Sequence, residues 1–369
     1  LKKDLRSLKK KFGDERKTRI IGVAAQPDTE AEPGTKVQTA GEAEDAYPML
    51  FDEEPEEEET ILELTQRGYA RRVSLKSFQR QAKARANEPA ISTVTEADDF
   101  SVQTHLTTTG KTIVAITRSG KAYPVHIGEV PQAGGRSKGA PLVTLLPPAA
   151  QSDPQGVVDS FILPDELDEK FLLILTQQGR VKRLPLAEFA DLTGRGLTLL
   201  KLKDDDQIIH ASITTVGEQV VVATTGGRML RVAINDDDLP VQSRTAQGQL
   251  LMRLGKREQL VGGTTLSLGG VLLLVTQKGY AKRMPVAMLR QSKPGDLGAQ
   301  GLQFATKTDQ LVGLAGLKTE MSVMLLTSGD RRVRPDVAAI AMEGRDSTGD
   351  RILKLEKDEK ITTLMVLHD

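Results

Sequence analysis

Short apolar runs, each followed by a threonine and a glycine-containing turn, recur along most of this 369-residue chain. The clearest copy is the run 271–275, followed by Thr276-Gln-Lys-Gly279-Tyr-Ala-Lys282-Arg283-Met-Pro285. An apolar run, a tight turn and a returning segment are typical of a β-hairpin. The pattern occurs six times, with turn glycines at Gly68, Gly120, Gly179, Gly227, Gly279 and Gly329.

The six copies are spaced by 52, 59, 48, 52 and 50 residues. A period of about 50 residues with strand-turn-strand content indicates a closed or nearly closed propeller-like array of roughly four-stranded blades. We expect second strands after Gly196, Gly248, Gly301 and Gly349, and a surface loop in the Pro-rich stretch 147–164. Closing strands are expected at 208–213, 260–266, 311–317 and 361–367. The sequence therefore predicts an all-β domain over residues 60–369.

Residues 1–59 follow a different pattern. Leu1, Leu5, Leu8 and Phe12 form one apolar stripe among lysines, which predicts the end of a helix and an exit segment over residues 1–19. A helix that begins inside its apolar stripe suggests that a longer protein continues on the N-terminal side; the alternative is a genuine short N-terminal helix. Residues 20–59 combine one short strand with an acidic stretch poor in apolar residues, which predicts a flexible linker.

The formal net charge of zero conceals segregated charges. Residues 1–20 hold nine Lys/Arg and three Asp/Glu, whereas residues 21–59 hold one and thirteen. The repeats from residue 60 onward carry 40 basic and 34 acidic residues. A basic surplus in the repeats favours a polyanionic partner over a neutral one.

Composition excludes several functions. The chain has no cysteine, which rules out disulfides, thiolate metal sites and cysteine nucleophiles, and which fits a reducing cytoplasm. The four histidines show no pair at zinc-ligand spacing, so no metal site is expected. No apolar run has the length of a membrane span. Aromatic residues make up only 3% of the chain, which leaves little for a base-stacking platform.

Basic residues recur at fixed offsets from the turn glycines. A residue type fixed relative to the turn falls on the same part of each blade, so we expect a basic ring around the rim that neutralises the phosphates of a bent duplex. Identical repeats suit a uniform backbone better than differing base edges. The alternative is a set of solvated hairpins whose cations prevent edge-to-edge aggregation. The candidate DNA-binding residues are Arg71, Arg72, Lys121, Arg180, Lys182, Arg183, Arg228, Arg231, Lys282, Arg283, Arg331 and Arg332.

One further stretch, Gln132-Ala-Gly134-Gly135-Arg136-Ser-Lys138-Gly139, places small residues between cations. Backbone amides in such a stretch can approach a phosphate closely, which adds Arg136 and Lys138 to the candidates. The alternative is a flexible surface loop. It is not a Walker A loop, because no Lys-Ser/Thr pair opens a helix there. No nucleophile, base or paired carboxylates can be argued from spacing, so no catalytic residue is predicted.

These motifs resemble a known family. Residues 1–20 are similar to the segment that leaves the coiled coil in the A subunit of a bacterial type IIA DNA topoisomerase. The signature Leu-Thr-x-x-Gly-Tyr-x-Lys-Arg-x-Pro resembles the repeat in the C-terminal domain of the gyrase A subunit, with 276–285 as the best copy. The resemblance implies a six-bladed β-pinwheel that wraps duplex DNA. It also implies a cytoplasmic, nucleoid-associated protein. Expected partners are an ATPase B subunit and the breakage-reunion region of the same polypeptide, with ATP and Mg used by other regions.

The chain departs from the family at one motif. The gyrase box Gln-Arg-Arg-Gly-Gly-Lys-Gly belongs in the first blade, where this chain has only Gln79-Arg-Gln-Ala-Lys83. The nearest match is the degenerate stretch Gln132 to Gly139 in the second repeat. Six repeats favour a gyrase-like domain, whereas the eroded box favours a topoisomerase IV-like (ParC-type) paralogue. A propeller scaffold for protein partners is the alternative from another class, and an isolated enzyme is a third.

Overall fold

The computed structural model describes residues 57–85, 90–93, 99–134, 137–151, 153, 156–203, 205–256, 258–317 and 321–368. They lie in one compact unit, Pro55–Asp369. The helix and most of the acidic linker predicted from the sequence lie outside the described residues.

Within these ranges, 24 strands form six four-stranded antiparallel sheets. The strands are β1 Glu59–Thr65, β2 Tyr69–Val73, β3 Ile91–Thr93, β4 Ser101–Thr108, β5 Thr112–Thr117, β6 Lys121–His126, β7 Ala140–Pro141, β8 Val157–Ile162, β9 Lys170–Thr176, β10 Arg180–Pro185, β11 Leu197–Thr198, β12 Ile208–Thr215, β13 Gln219–Thr224, β14 Arg228–Ala233, β15 Gln249–Leu250, β16 Leu260–Leu266, β17 Val271–Thr276, β18 Tyr280–Pro285, β19 Ala299–Gln300, β20 Leu311–Leu317, β21 Ser322–Thr327, β22 Arg331–Val333, β23 Asp350–Arg351 and β24 Ile361–Leu367. Helices are few: α-helices Leu75–Arg85, Leu142–Leu145 and Pro148–Gln151, and 3₁₀ turns Ile127–Glu129, Leu186–Phe189, Val286–Met288 and Val337–Ala339.

Each sheet is one blade whose fourth strand comes from another repeat. A repeat supplies a hairpin and the inner strand that pairs with its first strand. The outer strand comes from the repeat that follows in the ring. The orders from inner to outer strand are β4-β1-β2-β7, β8-β5-β6-β11, β12-β9-β10-β15, β16-β13-β14-β19, β20-β17-β18-β23 and β24-β21-β22-β3.

The exchange of strands closes the ring. Strand β3 of the first repeat pairs with β22 of the sixth, and the inner strand β24 contacts β4. At the same junction the backbone N–H of Thr104 donates to the carbonyl oxygen of His368 at 2.7 Å. The predicted all-β, six-bladed array is confirmed. The ring closure, which the sequence left open, rests on pairing between the two ends of the repeat series.

The apolar runs are continuous because both faces of each first hairpin strand are buried between blades. Along β9, Leu172 and Ile174 pack into the core shared with the second blade, whereas Leu173 and Leu175 pack into the core shared with the fourth. A continuous apolar run is typical of a strand covered on both sides. The cores therefore lie between adjacent blades, and each blade depends on its neighbours for burial.

The strands predicted to close each repeat are confirmed at β12, β16, β20 and β24. Two other expectations are wrong. The outer strand expected after Gly301 lies before it, at β19. The stretch 147–164 is not a simple surface loop, because it contains the inner strand β8, whose side chains are half-buried. The first repeat forms the unexpected helix Leu75–Arg85 before its outer strand.

The turn of the sixth repeat is displaced by one residue from the predicted position. Asp330, with φ 55°, takes the left-handed conformation that glycine takes in the other five turns. The backbone N–H of Arg331 donates to Thr327 Oγ1, as that of Arg180 donates to Thr176 Oγ1. Arg332 therefore pairs with Leu326 at the position where Val181 pairs with Leu175. The equivalent of Arg183 is Arg334 rather than Arg332.

Left-handed glycines mark where a repeat reaches its neighbour. Gly139, Gly248, Gly298 and Gly349 each precede an outer strand and have φ between 71° and 83°. A Cβ at Gly349 would lie 2.4 Å from the carbonyl oxygen of Ala281 in the preceding blade. No side chain fits at that separation, so these positions need glycine for both conformation and space.

Gly349→Ala is expected to lower the midpoint of thermal unfolding and to cost roughly 2 kcal/mol or more, since left-handed strain and a backbone clash add together. Gly217→Ala is the matched control. Gly217 also has a positive φ, of 94°, but a Cβ added there would meet no atom within 4 Å beyond its chain neighbours. Differential scanning calorimetry of both variants checks this. Equal losses would mean that the contact with Ala281 adds nothing.

Candidate nucleic-acid interface

The exchange of strands gives the ring two different faces. The turn face carries the six hairpin turns and the crossing segments, which run from an outer strand to the next inner strand. The opposite face carries the connections from inner strands to the next hairpins and the 3₁₀ turns. The loops that connect each 3₁₀ turn or second hairpin strand to the next outer strand run along the outer edge of the ring, and we call them the edge loops. The crossing segments are 142–156, 199–207, 251–259, 301–310 and 352–360, and the edge loops are 131–139, 191–196, 240–248, 290–298 and 341–349.

The ammonium group of Lys182 is enclosed by backbone carbonyl groups. Lys182 is only 1% exposed. Its Nζ donates to the carbonyl oxygens of Arg244 at 2.8 Å and Ala246 at 3.1 Å, and also to that of Leu199. An ammonium has three N–H donors, so the three carbonyl groups use all of them. Lys182 therefore fastens the edge loop 240–248 to β10.

Lys282 repeats this arrangement two blades further on. It is fully buried, and its Nζ donates to the carbonyl oxygens of Gly344 at 2.6 Å, Ser347 at 3.0 Å and Arg345 at 3.3 Å. Burial lowers the pKa of Lys182 and of Lys282 to about 8. Both therefore remain mainly protonated at pH 7, as three acceptor oxygens around one nitrogen require.

The arginines one place further along are also committed to the next repeat. Arg72 Nε donates to the carbonyl oxygen of Val130 at 2.6 Å, and Arg283 Nε donates to that of Ile340 at 2.7 Å. Arg183, 1% exposed, contacts Asp236 and stacks 4.5 Å from the ring centroid of Phe171. Arg231 is 8% exposed, and burial lowers its pKa.

The exposed basic ring expected from the hairpin cations is therefore wrong for four residues: Lys182, Arg183, Arg231 and Lys282 are buried between repeats. The sequence offset was real, but it reflected contacts between chain segments. A fixed offset identifies a shared environment in each blade and does not say whether that environment is solvent or a neighbouring loop. The two-residue cation pairs hold the edge loops in place.

Other predicted cations are half-buried and paired. Arg71 Nε contacts Glu63 at 2.7 Å, and Arg180 donates to the carbonyl oxygens of Gln247 at 3.0 Å and Gly248 at 2.6 Å. Arg332 lies over the ring of Phe100, 5.9 Å from its centroid. Among the described candidates, Lys121 and Lys138 are exposed. Arg136 lies outside the described residues.

Arg228 and Arg331 form equivalent ion pairs in the fourth and sixth blades. Arg228 Nε lies 2.9 Å from Glu258 Oε1, and Arg331 Nε lies 2.8 Å from Glu359 Oε1. Both carboxylates also accept backbone N–H groups, from Gly255 and Glu356. The hydrogen bond from the arginine is the main cause that lowers the pKa of Glu258 and of Glu359 to about 2. These pairs fix a crossing segment to a hairpin turn.

The two pairs predict acid sensitivity. A carboxyl whose pKa is lower in the folded state stabilises the fold above its unfolded pKa of about 4.3, and this stabilisation is lost as pH falls toward 2. The double variant Glu258→Gln, Glu359→Gln is expected to be less stable than the wild type at pH 7 and nearly equal to it at pH 2. Urea unfolding at pH 7, 4 and 2 checks this. A stability difference that stays constant with pH would exclude the two ion pairs as its cause.

Besides Lys307 and Lys360, six exposed cations outside the set predicted from the sequence lie on the described part of the crossing segments. We call them the crossing cations. None of them makes an ion pair with another residue in the described part of the chain. Three lie five places after a left-handed glycine, so an offset counted from Gly196, Gly248 and Gly349 would have found them. The crossing cations are Lys201, Lys203, Arg253, Lys256, Lys354 and Lys357.

The degenerate box-like stretch is one of several equivalent edge loops. Gln132 bridges to Arg72, as Val241 bridges to Arg183 and Met342 to Arg283. The loop therefore docks on the first blade, although its sequence belongs to the second repeat. Of its predicted residues, Gln132, Gly134 and Lys138 are exposed and Gly139 is half-buried. Gly135 and Arg136 lie outside the described residues. Gln79 to Lys83, by contrast, lies in the helix Leu75–Arg85.

Two histidines that are far apart in sequence meet at the ring closure. Burial lowers the pKa of His105, and His368 lowers it further. No group of three or more His, Cys, Asp or Glu residues placed to hold a metal ion occurs among the described residues. In the same part of the chain, no helix has the length and apolar character needed to cross a membrane.

Blades that exchange their outer strands around a closed ring, with basic segments outside the core, define a β-pinwheel. The family model described as DNA gyrase C-terminal domain, beta-propeller, matches residues 170–215, 218–266, 270–316 and 344–368. The chain belongs to this family.

The chain is similar in sequence to two kinds of protein. The A subunit of DNA topoisomerase 4 from Synechocystis sp. is 35% identical over 69% of this chain, and the A subunit of DNA gyrase from Staphylococcus epidermidis is 26% identical over 99%. The chain spans 29% and 38% of these relatives' lengths.

Solved structures share the fold. The C-terminal domain of DNA topoisomerase IV has a TM-score of 0.70 at 19% identity, covering 85% of this chain and 94% of that one. The DNA gyrase A C-terminal domain has a TM-score of 0.61 at 19% identity, covering 84% and 100%.

Proposed function

We propose that this ring binds, bends and wraps duplex DNA around its outer edge without sequence specificity, as part of the A subunit of a type IIA topoisomerase. The observation that carries the proposal is the series of crossing cations, which lie in pairs on three of the crossing segments and are exposed to solvent. A duplex carries one phosphate charge per about 1.7 Å of axis, so a curved array of cations can contact it at successive blades.

The architecture suits a curved ligand. Buried lysines and arginines hold the edge loops, and the loops and crossing segments present exposed cations. Lys182 holds a carbonyl group in each of two such segments. A rigid support is important because bending a duplex costs several kcal/mol of elastic energy. Contacts held in fixed positions offset this cost. The edge-loop residues Lys138 and Arg195, both exposed, extend the array toward the first two blades.

Lack of sequence specificity follows from the side chains available. The repeats offer lysines and arginines at similar positions in successive blades, which suits contacts to a uniform phosphate backbone. Direct reading of bases would require different side chains aimed into a groove in each blade.

The finer role has two candidates. A gyrase-like domain would wrap DNA fully and present a segment with a defined crossing sign, so that ATP-driven passage introduces negative supercoils. A topoisomerase IV-like domain would select or deliver a segment with little wrapping. Six blades in a closed ring support the first. The 35% identity to the A subunit of a topoisomerase 4 supports the second. In either role we propose two partners, an ATPase B subunit and the breakage-reunion region of the same polypeptide, in the cytoplasm at the nucleoid. ATP and Mg would act elsewhere.

The decisive experiment measures topology. The protein is incubated with nicked circular DNA, the nick is sealed with ligase, the protein is removed, and the change in linking number is read on a gel. A change that grows with protein concentration is expected, and a strong positive wrap would favour the gyrase-like role. Binding without a linking change would leave only bending or delivery. Absence of binding at low salt would contradict the proposal.

A further inference from the structure

The two faces of the ring carry opposite charge. The turn face presents the crossing cations together with other exposed basic residues, interrupted by Asp205, Asp330, Glu356 and Asp358. The additional exposed cations are Arg67, Lys121, Lys307 and Lys360.

The opposite face presents mainly carboxylates. The connection 163–169 alone exposes Asp165, Glu166, Asp168 and Glu169, and Lys111 Nζ reaches only one of them, Asp165, at 2.9 Å. The exposed cations there include Arg290 and, at the start of the helix Leu75–Arg85 that follows β2, Lys76. The other exposed acidic residues of this face are Glu57, Glu58, Glu129, Glu188, Asp191, Asp236, Asp237 and Asp336.

Hydrogen bonds assign these segments to their faces. On the turn face, the N–H of Gln177 donates to the carbonyl oxygen of Gln207 at 2.9 Å, which ties a crossing segment to a hairpin turn. On the opposite face, the N–H of Ile127 donates to the carbonyl oxygen of Lys111 at 3.0 Å. Each strand of six residues spans roughly 20 Å at about 3.3 Å per residue. Because the Debye length is about 8 Å at physiological salt, the two faces act on a ligand as separate fields.

We infer that the duplex follows one side of the ring: it contacts the outer edge and the turn face, and the carboxylates of the opposite face exclude it. This inference rests on the proposed function and adds the side on which DNA lies. A phosphate chain gains counterion release only from cations, so a path displaced toward the turn face engages the crossing cations while avoiding repulsion from the opposite face. The consequence is a wrap with a defined side, which a symmetric basic rim would not produce.

The chain's lack of cysteine makes a direct test available. Ala305→Cys on the turn face and Ala287→Cys on the opposite face are matched variants, because both alanines are exposed and flank the fifth blade. Each is coupled to iron–EDTA, bound to linear duplex DNA, and activated to generate hydroxyl radicals. Strand cleavage is expected from position 305, and at most background cleavage is expected from position 287.

Equal cleavage from both positions, or stronger cleavage from position 287, would overturn the inference. So would absence of cleavage from both. In each case the linking-number assay on the same conjugates decides separately whether wrapping itself survives.

A second measurement uses charge alone. Neutralising the connection 163–169 with Asp165→Asn, Glu166→Gln, Asp168→Asn and Glu169→Gln is expected to raise the affinity for duplex DNA several-fold at low salt, as local repulsion is removed. The same variant at 0.5 M salt is expected to match the wild type, since screening removes the difference. Unchanged affinity at low salt would contradict exclusion by this face.

Discussion

Replacing all six crossing cations with glutamine is expected to lower the affinity for duplex DNA at least about a hundredfold at 0.1 M salt and to flatten its salt dependence. Each phosphate neutralised by a cation contributes about 0.9 to the slope of log K against log salt, so loss of six contacts should reduce that slope by about five. The midpoint of thermal unfolding should change little, because substitutions of exposed side chains usually have small effects on stability. Fluorescence anisotropy over a salt series, with calorimetry on the same sample, measures both quantities.

The matched control carries only two of the six substitutions, both in one crossing segment. Lys201→Gln and Lys203→Gln alone should reduce the slope by about two, which tests whether the effect scales with the number of charges. A slope that stays at the wild-type value in the sixfold variant would show that DNA does not use the turn face. Loss of affinity together with unfolding would remove the basis for interpreting it.

Lys182→Met is expected to have the opposite profile: a free energy of unfolding lower by about 3 kcal/mol, with an unchanged salt slope for DNA binding at temperatures where the ring remains folded. The substitution leaves the carbonyl oxygens of Leu199, Arg244 and Ala246 without the donor that they share. Hydrogen bonds to a charged group are each worth about 1.5–3 kcal/mol, and orphaned buried acceptors add a desolvation cost. Urea unfolding gives the energy, and hydrogen exchange should show the edge loop 240–248 opening first.

Lys201→Met is the control, since it makes the same chemical change on an exposed lysine. It should leave the unfolding midpoint within experimental error and remove about 0.9 from the salt slope. If Lys182→Met instead left stability intact and reduced the slope, Lys182 would be a phosphate contact, as the hairpin offset alone suggested.

These two variants distinguish the two reasons why a cation can recur at a fixed offset in the repeats. The offset of Lys182 from Gly179 and of Lys282 from Gly279 was detectable because the two lysines bind equivalent carbonyl groups in the third and fifth repeats. Binding to an external phosphate and binding to a neighbouring carbonyl oxygen both select a cation at a fixed place. Periodicity alone does not distinguish them. Burial does, and burial depends on a loop that arrives from another repeat about 60 residues later.

The repeat, its period and the class of fold follow from local features of the sequence. Apolar runs such as 172–175 are short-range features, and a turn glycine with positive φ follows from local backbone sterics, so both can be predicted without long-range contacts. The same local reasoning failed in the sixth repeat. It predicted the left-handed residue at Gly329, whereas the neighbouring Asp330 takes that conformation.

Long-range contacts, by contrast, establish which strand belongs to which blade, that β3 closes the ring on β22, and which cations face solvent. Strand exchange is a contact between residues far apart in sequence, and outer strands of two or three residues have too short a pattern to predict their partner. The segregation of charge onto two faces follows from the same cause. Crossing segments and inner-strand connections alternate along the chain, and only the closed ring collects the first on one side and the second on the other.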